Sequence, residues 1–155
     1  MSKAILISIK PEWVQKILNG DKTIEIRKTL PKCKYPIDVY IYCTKSKKIG
    51  ICWNNCEDIC GKVVAKFTLR KLEEFINGLS PLEREYCHVD NEFDYQAYEN
   101  VLEKACLTYE QAEEYAPDQS FCAWHISDLE IFDEPKELKD LGVEKAPQSW
   151  RFIDV

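Results

Sequence analysis

The 155-residue sequence lacks the features that mark several large classes of protein. Its apolar runs fall short of the roughly 20 residues that a membrane-spanning helix needs. It has no internal repeat, no P-loop, no dinucleotide-binding glycine fingerprint and no Ser/His/Asp arrangement of a hydrolase triad. Its only two histidines, His88 and His125, are far apart in the sequence. These absences leave one soluble globular domain as the expectation.

The cysteines indicate reduced thiols rather than a disulfide scaffold or a metal centre. Residues 1–10 carry two lysines around a short apolar run with no cleavage site behind it, which indicates a strand and not a secretory signal. Eight cysteines in such a chain are typical of a cytoplasmic protein. Cys52, Cys56 and Cys60 would share one face of a helix, but the spacing differs from that of zinc knuckles. We therefore expect no metal and no cofactor.

The net charge of −6 conceals an uneven distribution along the chain. Residues 1–70 contain 14 Lys and Arg against six Asp and Glu, whereas residues 71–155 contain seven against 21. If the two halves separate in space, the protein has a basic pole and an acidic pole. The simpler interpretation is that these side chains only solvate the surface.

Alternating and helical patterns divide most of the chain into short elements. The β-branched run from Ala4 to Ile9 predicts a strand. Pro11 then has the place of a first helical residue and Gly20 that of the residue after the helix end, so a helix of about two turns lies between them. Further strands are predicted at 23–28, 38–44, 62–69, 121–126 and 129–132.

Residues 71–117 differ from the rest because they are strongly acidic and have helix signals. Capping-box patterns begin at Ser80 and Thr108, and an amphipathic pattern extends from Tyr95 to Ala105. We expect an acidic helical insertion between strands of a mixed or antiparallel sheet. The predicted fold class is α+β, with the sheet curled into a small β-barrel.

The stretch from Gly20 to Arg27 carries the most chemistry. On a strand, Glu25 and Arg27 project from one face about 7 Å apart. Lys22 enters from the preceding turn, while the opposite face is apolar. Two cations and a carboxylate suit a polar, planar or anionic ligand, because arginine offers a bidentate fork and the carboxylate accepts amino groups. The plainer alternative is a solvated strand edge with an ion pair of little energetic value.

This stretch resembles the start of ASCH domains. Their hallmark, G-x-K-x-x-E-x-R, is matched at Gly20, Lys22, Glu25 and Arg27, and the segment ILISIKPEWVQKILNGDKTIEIRK around it is similar to theirs. The end of the chain, residues 146–150, is similar to a segment of a bacterial and phage subgroup. The resemblance implies a single ASCH domain over residues 1–155, with a PUA-like β-barrel and a cleft lined by the motif. The insertion at about 71–117 lies outside the resemblance.

The resemblance implies RNA, a nucleotide or a nucleoside as the ligand. Some small ASCH members are amidohydrolases that remove the acetyl group from N4-acetylcytidine, so hydrolysis is the alternative. In an enzyme, Lys22 would act as base or nucleophile activator, and Glu25 would orient water. Glu25 stands where those enzymes carry threonine, and Thr23 matches a different motif position. A second alternative is a protein-interaction module that uses the acidic insertion 71–117.

The ligand-binding set predicted from the sequence extends beyond the motif. Ser8 and Lys10 would lie beside the motif strand if the first strand pairs with it. Tyr40 would stack on a base, Trp150 would close the cleft from the end of the chain, and Ser149 would supply hydrogen bonds. The motif itself contributes Lys22, Thr23, Glu25 and Arg27.

Overall fold

The computed structural model describes residues 1–45, 52–53, 57–77 and 96–155. In chain order, the strands are β1 (Lys3–Ile9), β2 (Ile24–Arg27), β3 (Ile37–Cys43), β4 (Cys52–Trp53), β5 (Glu57–Asp58), β6 (Lys62–Leu69), β7 (Leu72–Phe75), β8 (Phe121–His125), β9 (Ser127–Lys136) and β10 (Trp150–Asp154). The described helices are α1 (Pro11–Leu18), α2 (Gln96–Ala105) and α3 (Tyr109–Tyr115), with a 3₁₀ turn at Leu138–Leu141. The predicted α+β class is confirmed.

The chain forms two compact units. Unit 1 comprises Met1–Gly20, Lys34–Arg70 and Ile126–Val155, and unit 2 comprises Asp21–Cys33 and Lys71–His125. Each unit has its own sheet. The strand order is β10-β1-β3-β6-β9 in unit 1 and β2-β8-β7 in unit 2. Strands β4 and β5 pair with each other as a third, two-stranded sheet.

The five-stranded sheet of unit 1 is mixed. Strand β1 runs parallel to β3 and antiparallel to β10, and the remaining pairs are antiparallel. Every residue of β1 from Ala4 to Ile9 is buried, so this strand has apolar contacts on both faces. One of those faces packs in a cluster formed by Ala4, Leu6, Tyr42, Val63, Val143 and Ile153.

Helix α1 begins and ends where the sequence pattern predicts. Pro11 is its first residue, where the missing backbone N–H costs nothing. The helix buries Val14, Ile17 and Leu18 on one stripe. Gly20 follows with a φ of +83°, a left-handed conformation that L side chains rarely adopt. This turn leads directly into the motif.

Unit 2 has a three-stranded antiparallel sheet with two helices. Ile24 and Ile26 of β2 lie in one core cluster with apolar residues of α2 and α3. Phe75 stacks on Phe121 across β7 and β8 with ring centroids 5.1 Å apart, and Tyr98 of α2 packs against both rings. One face of the sheet is therefore core. The other face carries Glu25 and Arg27, as the alternation predicts.

The structure leaves one expectation about the architecture as a prediction and corrects another. Among the described strands, the pairings do not close any sheet on itself, so the small β-barrel stays a prediction. Residues 72–75, expected to be helical, form strand β7, which pairs with β8 in unit 2. The helices at 96–105 and 109–115 are confirmed, whereas the capping-box pattern at Ser80 lies outside the described residues.

Candidate functional site

The motif turn, residues 21–23 directly before β2, is held by the carboxyl end of helix α2. The backbone N–H of Thr23 donates to the carbonyl of Lys104 over 2.9 Å. Lys22 Nζ donates to the carbonyl oxygen of Ala105 over 2.6 Å, and Cys106 Sγ donates to that of Asp21 over 3.4 Å. Carbonyls at a helix end have no partner within the helix, and a cation there is favoured by the helix dipole. Lys104 and Ala105 of α2, together with Cys106 directly after it, therefore fix the turn that precedes β2.

Lys22, Glu25 and Arg27 form one connected group of charges, which we call the motif cluster. Lys22 is 3% exposed and Glu25 is 7% exposed. Lys22 Nζ lies 3.8 Å from Glu25 Oε2, and Arg27 Nε lies 3.4 Å from Glu25 Oε1. Burial of charges is costly unless they are paired, so the carboxylate between two cations compensates part of that cost.

The carboxylate of Glu25 retains capacity for a further hydrogen bond. Its Oε2 atom is buried but accepts no hydrogen bond from any residue that the structure describes. Buried polar atoms are usually satisfied, and an unsatisfied one costs about 1–3 kcal/mol. Such an atom is what a ligand N–H would complete.

The neighbours of the motif cluster on β8 and β7 are set by the strand register. Glu25 pairs across with Trp124, and Arg27 pairs with Cys122. Trp124 is fully buried, and its Nε1–H donates to the carbonyl of Thr29 over 3.3 Å. Burial raises the pKa of the Cys122 thiol to about 11, with a smaller contribution from Glu74. Both residues opposite the motif cluster on β8 are therefore buried.

Tyr115, the last residue of α3, lies beside the motif cluster and was not predicted from the sequence. The Nζ atom of Lys28 is 5.1 Å from its ring centroid. Burial raises the pKa of the Tyr115 phenol, Arg27 lowers it and Glu25 raises it, so both charges act on the hydroxyl. The only signal for Tyr115 in the sequence is an aromatic residue at a helix end. Its proximity to Glu25 and Arg27 of β2 arises from the tertiary fold, which no local pattern predicts.

The remaining predicted site residues belong to unit 1. Ser8 Oγ donates to the carbonyl of Pro147 over 2.7 Å, and its backbone N–H donates to that of Ser149 over 2.9 Å. The structure thus brings Ser8 and Ser149 together. Among the described strands, β1 pairs with β10 and β3 while β2 pairs with β8, so the condition under which Ser8 and Lys10 would lie beside the motif strand is not met.

Lys10, Tyr40 and Trp150 have distinct local roles. Lys10 is exposed at the N-cap of α1. Tyr40 packs its ring 6.2 Å from that of Phe132, and Trp150 meets Phe152 edge-on at 5.5 Å. Both aromatic residues are half-buried within unit 1.

Among the described residues, no group of three or more His, Cys, Asp or Glu side chains is arranged to hold a metal ion. The side chains of Cys52 and Cys56 lie outside that description, so the predicted absence of a metal stays a prediction. The described helices include no candidate for a membrane-spanning segment.

Comparison with solved structures identifies the fold. The ASCH protein of Zymomonas mobilis has 18% identity and a TM-score of 0.65, covering 97% of this chain and 87% of that chain. Its serine-to-alanine variant has 18% identity and a TM-score of 0.64, covering 97% and 88%. A tyrosine-to-phenylalanine variant has 18% identity and a TM-score of 0.65, covering 99% and 91%. No family model and no curated protein matches the chain. The resemblance to ASCH domains is thus confirmed for the fold.

Proposed function

We propose that this protein binds RNA or a nucleotide or nucleoside through the motif cluster of Lys22, Glu25 and Arg27. The observation that supports this most directly is the buried Glu25 Oε2 atom, which accepts no hydrogen bond from the described residues. A nucleobase with an amino group would donate to that oxygen. The fold shared with the Zymomonas mobilis ASCH protein is compatible with such a site but does not specify the ligand.

Each residue of the motif cluster has a different role in this proposal. Lys22 is held by Ala105 and lies near the carboxylate, so it orients Glu25. Glu25 accepts from the amino edge of the base. The side chain of Arg27 is 13% exposed, and its guanidinium donates to a carbonyl or phosphate oxygen of the ligand. Carboxylate and guanidinium together then select the edge of a planar base.

Glu25→Gln tests the proposal because it keeps the shape of the side chain and removes one acceptor and the charge. Titration calorimetry with the four nucleoside monophosphates and a short single-stranded RNA measures the effect. A hydrogen bond to a charged group contributes about 1.5–3 kcal/mol, so affinity should fall roughly 10- to 100-fold. Glu12→Gln, an exposed carboxylate in α1, is the matched control and should bind like the wild type. Equal affinity in Glu25→Gln and the wild type would contradict the proposal.

Hydrolysis of an acylated nucleoside is the second candidate. It draws on the 3.8 Å separation of Lys22 Nζ and Glu25 Oε2, since a lysine beside a carboxylate is one arrangement for proton transfer. Incubation with N4-acetylcytidine should then release cytidine, and Glu25→Gln should abolish the release. Absence of turnover at high enzyme concentration would leave binding as the function.

We also propose a domain architecture, a cellular location and a protein partner for this chain. The PUA-like barrel and a single ASCH domain over residues 1–155 follow from the sequence resemblance. A cytoplasmic location follows from the cysteine content, and a protein partner for the acidic segment 71–117 follows from its charge. Deleting residues 78–95, between β7 and α2, separates the two uses of the chain: RNA binding should survive and partner binding should not.

A further inference from the structure

Tyr115 is a large aromatic residue that the core of unit 2 does not fully use. It keeps 38% of its surface exposed, whereas Tyr98 of α2 is 1% exposed among the core rings. Helix α3 already contacts the core through Ala112, and Ala116 follows it there. Packing against the core of unit 2 therefore does not account for the large exposed part of the Tyr115 ring.

Two contacts with Lys28 hold the ring at the end of β2. The backbone of Lys28 makes a hydrogen bond with the phenol oxygen, and this bond lowers the pKa of the phenol. Lys28 Nζ also lies 5.1 Å from the ring centroid, within the range of a cation–π contact. The ring is thus fixed immediately after Arg27.

The phenol is electrostatically coupled to the motif cluster. The guanidinium of Arg27 lowers its pKa and the carboxylate of Glu25 raises it, while burial is the largest effect and raises it. The net shift is upward, so the phenol stays neutral at physiological pH. A neutral aromatic ring thus lies within electrostatic reach of both charged groups proposed to bind the ligand edge.

We infer that Tyr115 is a ligand-binding residue beside the motif cluster, whose ring stacks on the base that Glu25 and Arg27 bind by its edge. The inference rests on the proposed function and narrows the ligand to one with a planar aromatic ring. Single-stranded nucleic acids are commonly held in this way, by an aromatic platform with polar groups at the base edge. Lys28, beside the ring, adds a cation for the ligand phosphate.

Two substitutions at Tyr115 separate the ring from its hydroxyl. Cytidine 5′-monophosphate and a short single-stranded RNA are the probes. Loss of a base–aromatic stack should weaken binding by Tyr115→Leu about tenfold or more, while Tyr115→Phe should keep most of the affinity. Tyr109→Leu is the matched control, because Tyr109 begins the same helix, is 48% exposed and contacts Tyr98 and Glu99 instead. It should bind like the wild type.

A spectroscopic measurement on the unmodified chain provides a second criterion. With ¹³C-labelled tyrosine, the Tyr115 ring signal is assigned by its absence in Tyr115→Phe. A stacked base should shift that signal on saturation with cytidine 5′-monophosphate. A fixed Tyr115 signal at saturation would overturn the inference even if Tyr115→Leu were too unstable to test.

The outcomes distinguish this inference from the proposed function. If Glu25→Gln loses affinity while Tyr115→Leu binds like the wild type, the inference is wrong and the proposed function stands. If the wild type binds none of the four nucleoside monophosphates and no short single-stranded RNA, both are wrong. Weaker binding in Tyr115→Leu, with retained binding in Tyr115→Phe and Tyr109→Leu, supports the stacking role.

Discussion

Lys22 illustrates how one buried cation connects the motif to the rest of its unit. Its ammonium group is almost fully removed from solvent, and it donates to the carbonyl of Ala105, 83 positions further along the chain. From the sequence alone, Lys22→Ala is expected to weaken ligand binding and leave the melting temperature normal. Because Lys22 is buried, we also expect a loss of stability. Removal of the ammonium leaves both the Ala105 carbonyl and the Glu25 carboxylate with one partner fewer.

We therefore expect Lys22→Ala to destabilise the protein by about 2–4 kcal/mol, which urea denaturation measures. Lys32→Ala, which removes an exposed lysine of the following loop, should change stability by less than about 0.5 kcal/mol. Lys22→Met keeps the apolar stem and separates loss of charge from loss of packing. A normal unfolding curve for Lys22→Ala would show that its buried contacts contribute little.

At the level of single residues, the sequence predicts one part of the candidate site and misses another. The alternation in β2 places Glu25 and Arg27 on one face and Ile24 and Ile26 on the other, because strand side chains have a period of two. It does not predict Tyr115, since no local pattern indicates which strand a helix end will meet. For the same reason, the sequence leaves open whether β1, which carries Ser8, pairs with the motif strand, and in the structure β1 pairs with β10 and β3.

Helix α3 shows how far local signals determine an element. Thr108 caps it by accepting from the Gln111 N–H at 3.1 Å, and Gln111 Oε1 accepts from the Thr108 N–H at 3.0 Å. This reciprocal pair is the capping box that the sequence predicts. The helix has only seven residues, so it depends strongly on its cap and on its contacts with the core.

Thr108→Ala should destabilise unit 2 by about 1 kcal/mol, because it removes the oxygen that satisfies the Gln111 N–H. Thr108→Ser keeps that oxygen and should restore most of the stability in urea denaturation. The pair of variants isolates the capping oxygen from the threonine methyl group. Equal destabilisation by both would indicate that the methyl group, and not the cap, is the stabilising part.

Element prediction fails where tertiary pairing overrides composition. Residues 72–75 read Leu-Glu-Glu-Phe, whose acidic centre favours a helix, yet they pair with β8. Phe75 favours the strand, since it is fully buried and stacks on Phe121, the residue opposite it in β8. By contrast, β1 and α1 follow their patterns, because burial and local propensity favour the same structure there.

The protein as a whole contains one thiol and several phenols whose neutral form is favoured in the folded state. Burial raises the pKa of the Cys122 thiol from 9.0 to about 11, and it raises the pKa of the Tyr42, Tyr98 and Tyr115 phenols above 10.0. A raised pKa means that the folded state holds protons that the unfolded state releases. Their contribution to stability is thus complete below pH 9 and is lost as the pH rises.

We expect the free energy of unfolding to fall between pH 9 and about pH 11, first through Cys122 and then through the phenols. Urea denaturation across this range measures the slope. Cys122→Ala should show a shallower fall at the start of the range than the wild type, although its stability at neutral pH is lower because of the lost packing. Parallel slopes in the two proteins would contradict a raised thiol pKa.

The attachment of the motif turn to helix α2 has a consequence for protein engineering. Thr23, Lys22 and Asp21 all contact consecutive residues near the end of α2. The eight residues from Gly20 to Arg27 therefore cannot be transferred to another protein as a functional unit on their own. Grafted onto another strand, they would keep their charges but lose the scaffold that sets the lysine. A transplant that is to bind the same ligands has to carry α2 with it.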